Sequence, residues 1–464
     1  MIGAVPAAGG AALSLEAHLA QGPLSRTQWL VWALAAAGKF LEGVIVFIGG
    51  LVLPLLEQPF AIGPLQRGAV AAASLFGILV GSLAFGELAD RWGRRPVFIA
   101  EMALLVVGLL LAGLSANVGW LIAGLLIVGL ALGADYPTAH LVITESIPAA
   151  LRGRLVLGAF SFQALGVVSG TALAALVLRA LPQPGAWRLL YLGPILPVLL
   201  LAVLRWQLPE SSQWLLCRGQ RAAAEQALGR LLERPGLRLL PLPAGSESLA
   251  LAEERWTEAL GELASPRWRR ATTLAAVPWF LQDLGTYGIG IFLPLLLAGA
   301  LGGTDVPAEA RASLLIDLAL LGGCAVAIAG TDRCGRLPLQ IGGFLGCAAG
   351  LLLAASGVGG ASGPVQIPQL VIGLLLFQFM TNLGPNTQTY LLAGELFPTP
   401  IRGLGAGVAA AAGKLAAVLT ALGLPVLLPR WGAAAVLEGL ACSSLLGALV
   451  TWLCRIEPRR EWLP

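Results

Sequence analysis

Buried in long apolar stretches of this 464-residue chain is a small set of side chains suited to holding an oxyanion. The set comprises Asp135 and Tyr136, Gln163, the trio Trp279, Asp283 and Tyr287, the amides Asn382 and Asn386, and Lys414. The trio recurs at four-residue intervals, so a helix presents all three on one face. Tyrosine, tryptophan, glutamine and asparagine donate neutral hydrogen bonds, and lysine adds a compact positive charge. A carboxylate beside a bound anion makes sense only when protonated. A proton taken up with the anion and released with it would couple the two. Lys39 and Glu42 lie one turn apart on an earlier segment and can pair. They form either a structural ion pair or an extension of the anion site. His140 is either a proton relay or a helix-packing polar residue, and Asp317 and Glu438 are expected at interhelical or lipid-edge positions. Glu101 is expected to pair with a nearby loop arginine. The scattered acids form no catalytic or metal-binding constellation, and there is no nucleotide-binding motif, so no enzyme activity, catalytic residue, metal or cofactor is expected.

Polar groups inside apolar runs are costly unless they face a cavity or a partner, so the surrounding elements must provide one. Hydrophobic residues make up 57% of the chain and charged residues only 12%, with a mean hydropathy of +0.83. An ordinary soluble protein is about a quarter charged. Stretches long enough to cross a bilayer fall near 28–55, 66–88, 96–115, 119–143, 154–180, 187–207, 271–299, 312–331, 337–356, 365–392, 403–427 and 431–454. An all-α protein of twelve transmembrane helices follows. Its parts are a tail (1–27), a six-helix bundle (28–207), a polar linker (208–270), a second bundle (271–454) and a final tail (455–464). The first residues lack a basic segment ahead of an apolar one, so they read as a tail and not a cleaved signal. Arginines concentrate in alternate connections, at 91, 94 and 95, 152 and 154, 333 and 336, 402, and 455 onward. The positive-inside rule puts both termini and the linker in the cytoplasm, with the protein in the plasma (inner) membrane. The six cysteines lack paired spacing and read as small apolar fillers. A net charge of +4 gives no sign of a nucleic-acid partner.

The halves repeat each other. Asp90-Arg91-Trp92-Gly93-Arg94 recurs as Asp332-Arg333-Cys334-Gly335-Arg336, and Glu145 with Arg152 recurs as Glu395 with Arg402. The run from Gly86 to Arg95 resembles the loop signature of the major facilitator superfamily. Pro209-Glu210-Ser211-Ser212-Gln213-Trp214-Leu215 resembles the motif after helix six in its sugar-porter-like branch. The resemblance implies two pseudo-symmetric six-helix bundles that rock around a central site. Gly86, Asp90, Arg91, Gly93, Arg94, Glu145, Arg152, Asp332, Arg333, Gly335, Arg336, Glu395 and Arg402 would serve gating, and Glu145 and Glu395 would share a charge network with Arg152, Arg402 and the two aspartate loops.

The intramembrane set is similar to that of the phosphate–proton symporters. That resemblance assigns substrate binding to Asp135, Tyr136, Gln163, Trp279, Asp283, Tyr287, Asn386 and Lys414, and proton coupling to Glu42, Asp283 and Asp135. Of the two helix-one aspartates in that family, the first corresponds to Glu42 here and the second to Ile45. The expectation is a secondary active transporter, a proton symporter, moving inorganic phosphate or another small anion by alternating access. Sugar or organic-acid transport is the alternative, and a non-transporting membrane sensor a remote one. The expected partners are the solute, the proton and the lipid bilayer, with the chain acting as a monomer.

Overall fold

The computed structural model describes residues 13–56, 60–181, 183, 185–240, 261–301, 306–358, 365–397 and 399–456. In lipid a backbone must satisfy its own hydrogen bonds, and long apolar segments do so as helices. The first half contains α1 (Arg26–Val52), α2 (Pro64–Trp92), α3 (Arg94–Gly113), α4 (Val118–Ser146), α5 (Ala149–Ala180) and α6 (Trp187–Arg205, bent at Gly193-Pro194). The second contains α7 (Arg269–Leu301), α8 (Val306–Cys334), α9 (Arg336–Gly357) and α10 (Ile367–Glu395, interrupted at Gly384). A continuous stretch, Thr399–Leu453, breaks at Gly432 (φ 78°) into α11 (399–431) and α12 (433–453). Thus α11 runs past its expected end, through Pro425 and Pro429. Packed membrane helices tolerate such prolines because their neighbours satisfy the freed carbonyls.

Local signals set the helix starts. Ser25 and Gln28 form a capping box at α1, and Asn117 accepts from the Trp120 N–H at α4. The repeated loop motif turns on its glycine in both halves. Gly93 has φ 104° between α2 and α3, and Gly335 has φ 84° between α8 and α9, a region that other residues rarely adopt. Glu210, the acid of the Pro-Glu-Ser run, accepts from the backbone N–H groups of Arg94 (3.0 Å) and Arg95 (3.2 Å). It thereby caps the positive end of α3.

The loop arginines are anchored within their own halves. Arg94 Nη2 lies 3.1 Å from Glu145, and Arg336 Nη2 lies 2.9 Å from Glu395. Arg152 instead reaches Glu16, 2.9 Å away in the N-terminal segment. This corrects the expectation that it shares the Glu145 network, since the helix Leu15–Leu19 is held against this face. Arg91 offers its carbonyl to Arg218 at 2.8 Å, and Arg333 is exposed. Gly86 lies within α2, and the side chains of Asp90, Asp332 and Arg402 lie outside the described residues. The linker forms helices Ser212–Cys217 and Arg221–Leu231, and Ser25 Oγ donates to the Leu231 carbonyl at 2.5 Å. None of the six cysteines is in a disulfide, and only Cys324 and Cys347 are buried as fillers.

Between the halves, α1 meets α7, where Phe47 stacks on Tyr287 at 5.7 Å. α2 meets α11 at Gly68 and Leu422. α5 meets α8 through a hydrogen bond between Thr171 and Asp317. Toward the face carrying the loop motifs, Tyr390 of α10 stacks on Phe160 of α5 at 4.5 Å and meets Tyr136 of α4 edge-on at 6.2 Å.

Candidate functional site

A cavity lies where these interfaces converge, lined from the first half by Phe47, Tyr136, Gln163, Ala164 and Val167. The second half contributes Trp279, Asp283, Tyr287, Asn382, Asn386 and Lys414, with Thr286, Leu320 and Gln378. Its volume is about 30 Å³, room for a water or two and not for a solute. The halves are therefore closed around it, and a solute enters only when they part.

The trio on α7 shares a face, as its spacing requires. Its partner is Lys414 of α11, whose Nζ donates to the Tyr287 hydroxyl at 2.6 Å and lies 3.5 Å from Asp283 Oδ2. That oxygen is buried and has no hydrogen-bond partner among the described residues. Gly413 leaves room for the arrangement, because a Cβ there would stand 2.6 Å from the Trp279 ring and 2.9 Å from Asp283 Oδ2. The amides form a chain: Gln282 Nε2 donates to Asn386 Oδ1 (3.2 Å), and Asn386 Nδ2 donates to Asn382 Oδ1 (2.9 Å). Gly384-Pro385 interrupts α10 between these two asparagines. Lys414 is the one cation lining the cavity among the described residues.

The remaining candidates form a second layer outside that lining. Lys39 Nζ pairs with Glu42 at 3.0 Å, sits 3.4 Å above the Tyr136 ring and lies 3.9 Å from Asp135. The pairing corresponds to the structural reading of Lys39. Gln163 joins the layers, lining the cavity while donating to Glu42 Oε1 at 3.0 Å. Asp135 does not line the cavity. Its Oδ1 accepts from Arg205 Nη2 at 2.7 Å, and the same guanidinium binds Glu101 and the Phe98 carbonyl. Thr138 donates to the other oxygen of Glu101 at 3.0 Å. Glu101 thus pairs with a helix-end arginine and not a loop one.

Sequence reasoning passed over Arg205 and Tyr390. Arg205 ends α6 and reads as a membrane-edge charge, yet it is fully buried. Its only sequence signal is its place just before the Pro-Glu-Ser run. Tyr390 contacts Tyr136, His140, Phe160 and Trp279 and closes the cavity toward the motif face. His140 Nδ1 lies 3.3 Å from its hydroxyl, which places His140 at the interface between halves. Glu438 is exposed on α12.

Two six-helix bundles closed around a central polar cavity define a membrane transporter of the major facilitator type, not an enzyme. The chain belongs to the sugar (and other) transporter family, whose model matches residues 58–460. It is 29% identical over 447 residues to the inner membrane metabolite transport protein YgcS of Escherichia coli strain K12, covering 94% of this chain and 93% of that one. It is also 29% identical over 450 residues to the 4-hydroxybenzoate transporter PcaK of Pseudomonas aeruginosa, with 95% of each covered. The rice inorganic phosphate transporter 1-1 is 26% identical over 86% of this chain and 84% of its own length. Among solved structures, the partially occluded inward-open xylose transporter XylE of E. coli superposes with a TM-score of 0.73 at 19% identity. That superposition covers 93% of this chain and 100% of the other.

Proposed function

We propose that this transporter is a proton symporter for a small anion, with inorganic phosphate as its first candidate. Lys414 carries the reading, as the cation facing a cavity whose other polar groups are mainly neutral donors. Anion and Asp283 compete for the same ammonium. With Asp283 ionised, Lys414 is engaged at 3.5 Å; once Asp283 takes a proton, Lys414 is free for the anion. The proton and the anion then travel together, and Oδ2, ion-paired with Lys414 but without a hydrogen bond, is the oxygen placed to receive the proton. Tyr136, Gln163, Trp279, Tyr287 and Asn386 donate the remaining hydrogen bonds, while Glu42, held by Lys39 and Gln163, biases the charge nearby. Asp135 acts through Arg205 and not on the solute directly. The arginine-rich face is assigned to the cytoplasm, with both termini, in the inner membrane of a monomeric protein.

A small organic carboxylate is the second reading, favoured by the apolar wall of Phe47, Ala164, Val167 and Leu320 beside the Lys414 end. Relatives described as carrying 4-hydroxybenzoate and niacin support it. Uptake into proteoliposomes under an inward proton gradient separates the readings, using labelled phosphate, 4-hydroxybenzoate, nicotinate and xylose. Phosphate uptake that collapses with the gradient is the expected result. Uptake of the carboxylates alone selects the second reading, and uptake of xylose alone defeats both.

A further inference from the structure

Five buried carboxylates lie within the described membrane helices away from the loop motifs: Glu42, Glu101, Asp135, Asp283 and Asp317. Four have a cation within ion-pair distance, namely Lys39 for Glu42, Arg205 for Glu101 and Asp135, and Lys414 for Asp283. Asp317 of α8 has none among the described residues. It is 4% exposed, and its partners are neutral. Thr171 Oγ1 of α5 donates to Oδ2 at 3.0 Å, and Gln378 Nε2 of α10 donates to Oδ1 at 3.0 Å.

Position gives this carboxylate its meaning. Thr171 belongs to the first half, and Asp317 and Gln378 to the second. The bond to Thr171 therefore crosses the seam that must part for the cavity to open away from the motif face. Gln378 also lines the cavity, so its amide can serve either Asp317 or a bound solute. Among the described residues the charge that an ionised Asp317 carries has no counter-ion on a packed helix, since Arg179 of α5 and Arg311 of α8 are exposed and form no ion pair with it. α5 brings Thr171 and α10 brings Gln378, and α10 carries no titratable group along Ile367–Leu383. Asp283 and Tyr287 on α7 are engaged with Lys414, and Cys347 on α9 is engaged with Thr381. On α8 itself the neighbours are Ser313, one turn away, and Cys324.

We propose that Asp317 is a second proton-binding site, whose protonation releases the α5–α8 seam. A proton from the water reached through that face adds to Oδ2. Oδ1 is excluded, because the Gln378 amide nitrogen facing it can only donate. The Thr171 hydroxyl then rotates to accept. The charge-assisted hydrogen bonds to Thr171 and Gln378 both become neutral ones of roughly half the strength, and the Thr171 hydroxyl hydrogen turns to a backbone carbonyl one turn back on α5. Loss of the proton on closure restores the latch. The site supplements the Asp283 exchange and rests on the transporter reading, but it can be tested without any solute.

The test uses the full chain in lipid nanodiscs, with two readouts against pH. Infrared difference spectra follow the C=O stretch of protonated carboxyls. Spin labels at positions 176 and 315, both exposed leucines on α5 and α8, report the width of the seam. In the wild type an acid-induced carboxyl band and a widening of the seam should share one midpoint. Asp317→Asn should remove that band and leave the seam wide at every pH. Thr171→Val, which keeps the acid, should retain the band at a shifted frequency while the seam stays wide. The Asp283 band is identified by its loss in Asp283→Asn; a carboxyl spectrum otherwise unchanged by Asp317→Asn, or a seam that still responds to pH in that variant, overturns the proposal. Failure of the transporter reading would appear instead as absent uptake of every labelled solute, whatever the seam does.

Discussion

The two halves hold their intramembrane charges in opposite ways. In the first, Lys39 and Arg205 are surrounded by Glu42, Glu101 and Asp135, with Thr138, Gln163 and backbone carbonyls adding further hydrogen bonds. In the second, Lys414 faces a single carboxylate and a phenol at the cavity wall; each half leaves one of these carboxylate oxygens without a hydrogen bond, Asp135 Oδ2 and Asp283 Oδ2. A network of two cations and three carboxylates set back from the cavity holds helices together, whereas a lone ion pair on the cavity wall can exchange partners with a solute. The first half therefore reads as the rigid wall of the site and the second as its reactive side. Tyr136 and Gln163 are where the wall meets the cavity.

Breaking the wall should have the largest effect. Arg205→Met leaves Glu101 and Asp135 with only the more distant Lys39, and removing one partner of a buried pair costs about 3–5 kcal/mol. Thermal unfolding in detergent should show a large loss of stability, and near-wild-type melting would mean that the wall is not structural. Next comes Lys414→Ala, which removes a charged donor worth about 1.5–3 kcal/mol, or roughly 10–100-fold in phosphate affinity. Its loss of stability should be smaller than that of Arg205→Met, because Asp283 can take a proton in compensation. Unchanged phosphate binding by calorimetry would remove Lys414 from the site.

Asp283→Asn should sharpen the contrast further. Phosphate exchange down its own gradient should persist, while accumulation driven by a pH gradient disappears. Accumulation that continues would move proton coupling to another carboxylate. The smallest effect is expected for Gln163→Leu, which breaks the link between the layers. One neutral hydrogen bond is worth about 1 kcal/mol, or roughly fivefold in KM. A drop far beyond that would show that Glu42 depends on Gln163 to stay in register.

Several features were legible because they are local. The four-residue spacing of Trp279, Asp283 and Tyr287 fixes a shared helix face whatever the tertiary context. The glycine of each repeated loop motif marks a turn that needs positive φ, and both Gly93 and Gly335 adopt it. Lys39 and Glu42 pair because one helical turn separates them. Asp135 was not legible in the same way. Its neighbour Tyr136 lines the cavity while Asp135 points a helix-face away to Arg205, a residue 70 positions along the chain. Arg152 was misread for the same reason, since its partner Glu16 lies 136 positions away.

By itself the sequence determined that the chain crosses a membrane as two related helical bundles with a few polar groups inside. Hydropathy, helical period and turn chemistry act over a single segment and need no distant partner. Only the tertiary structure decided which acids are neutralised, which face the cavity, and that Asp317 reaches across the seam to Thr171. Those outcomes depend on contacts between helices far apart in the chain, where burial forces each charge to find its partner or remain without one.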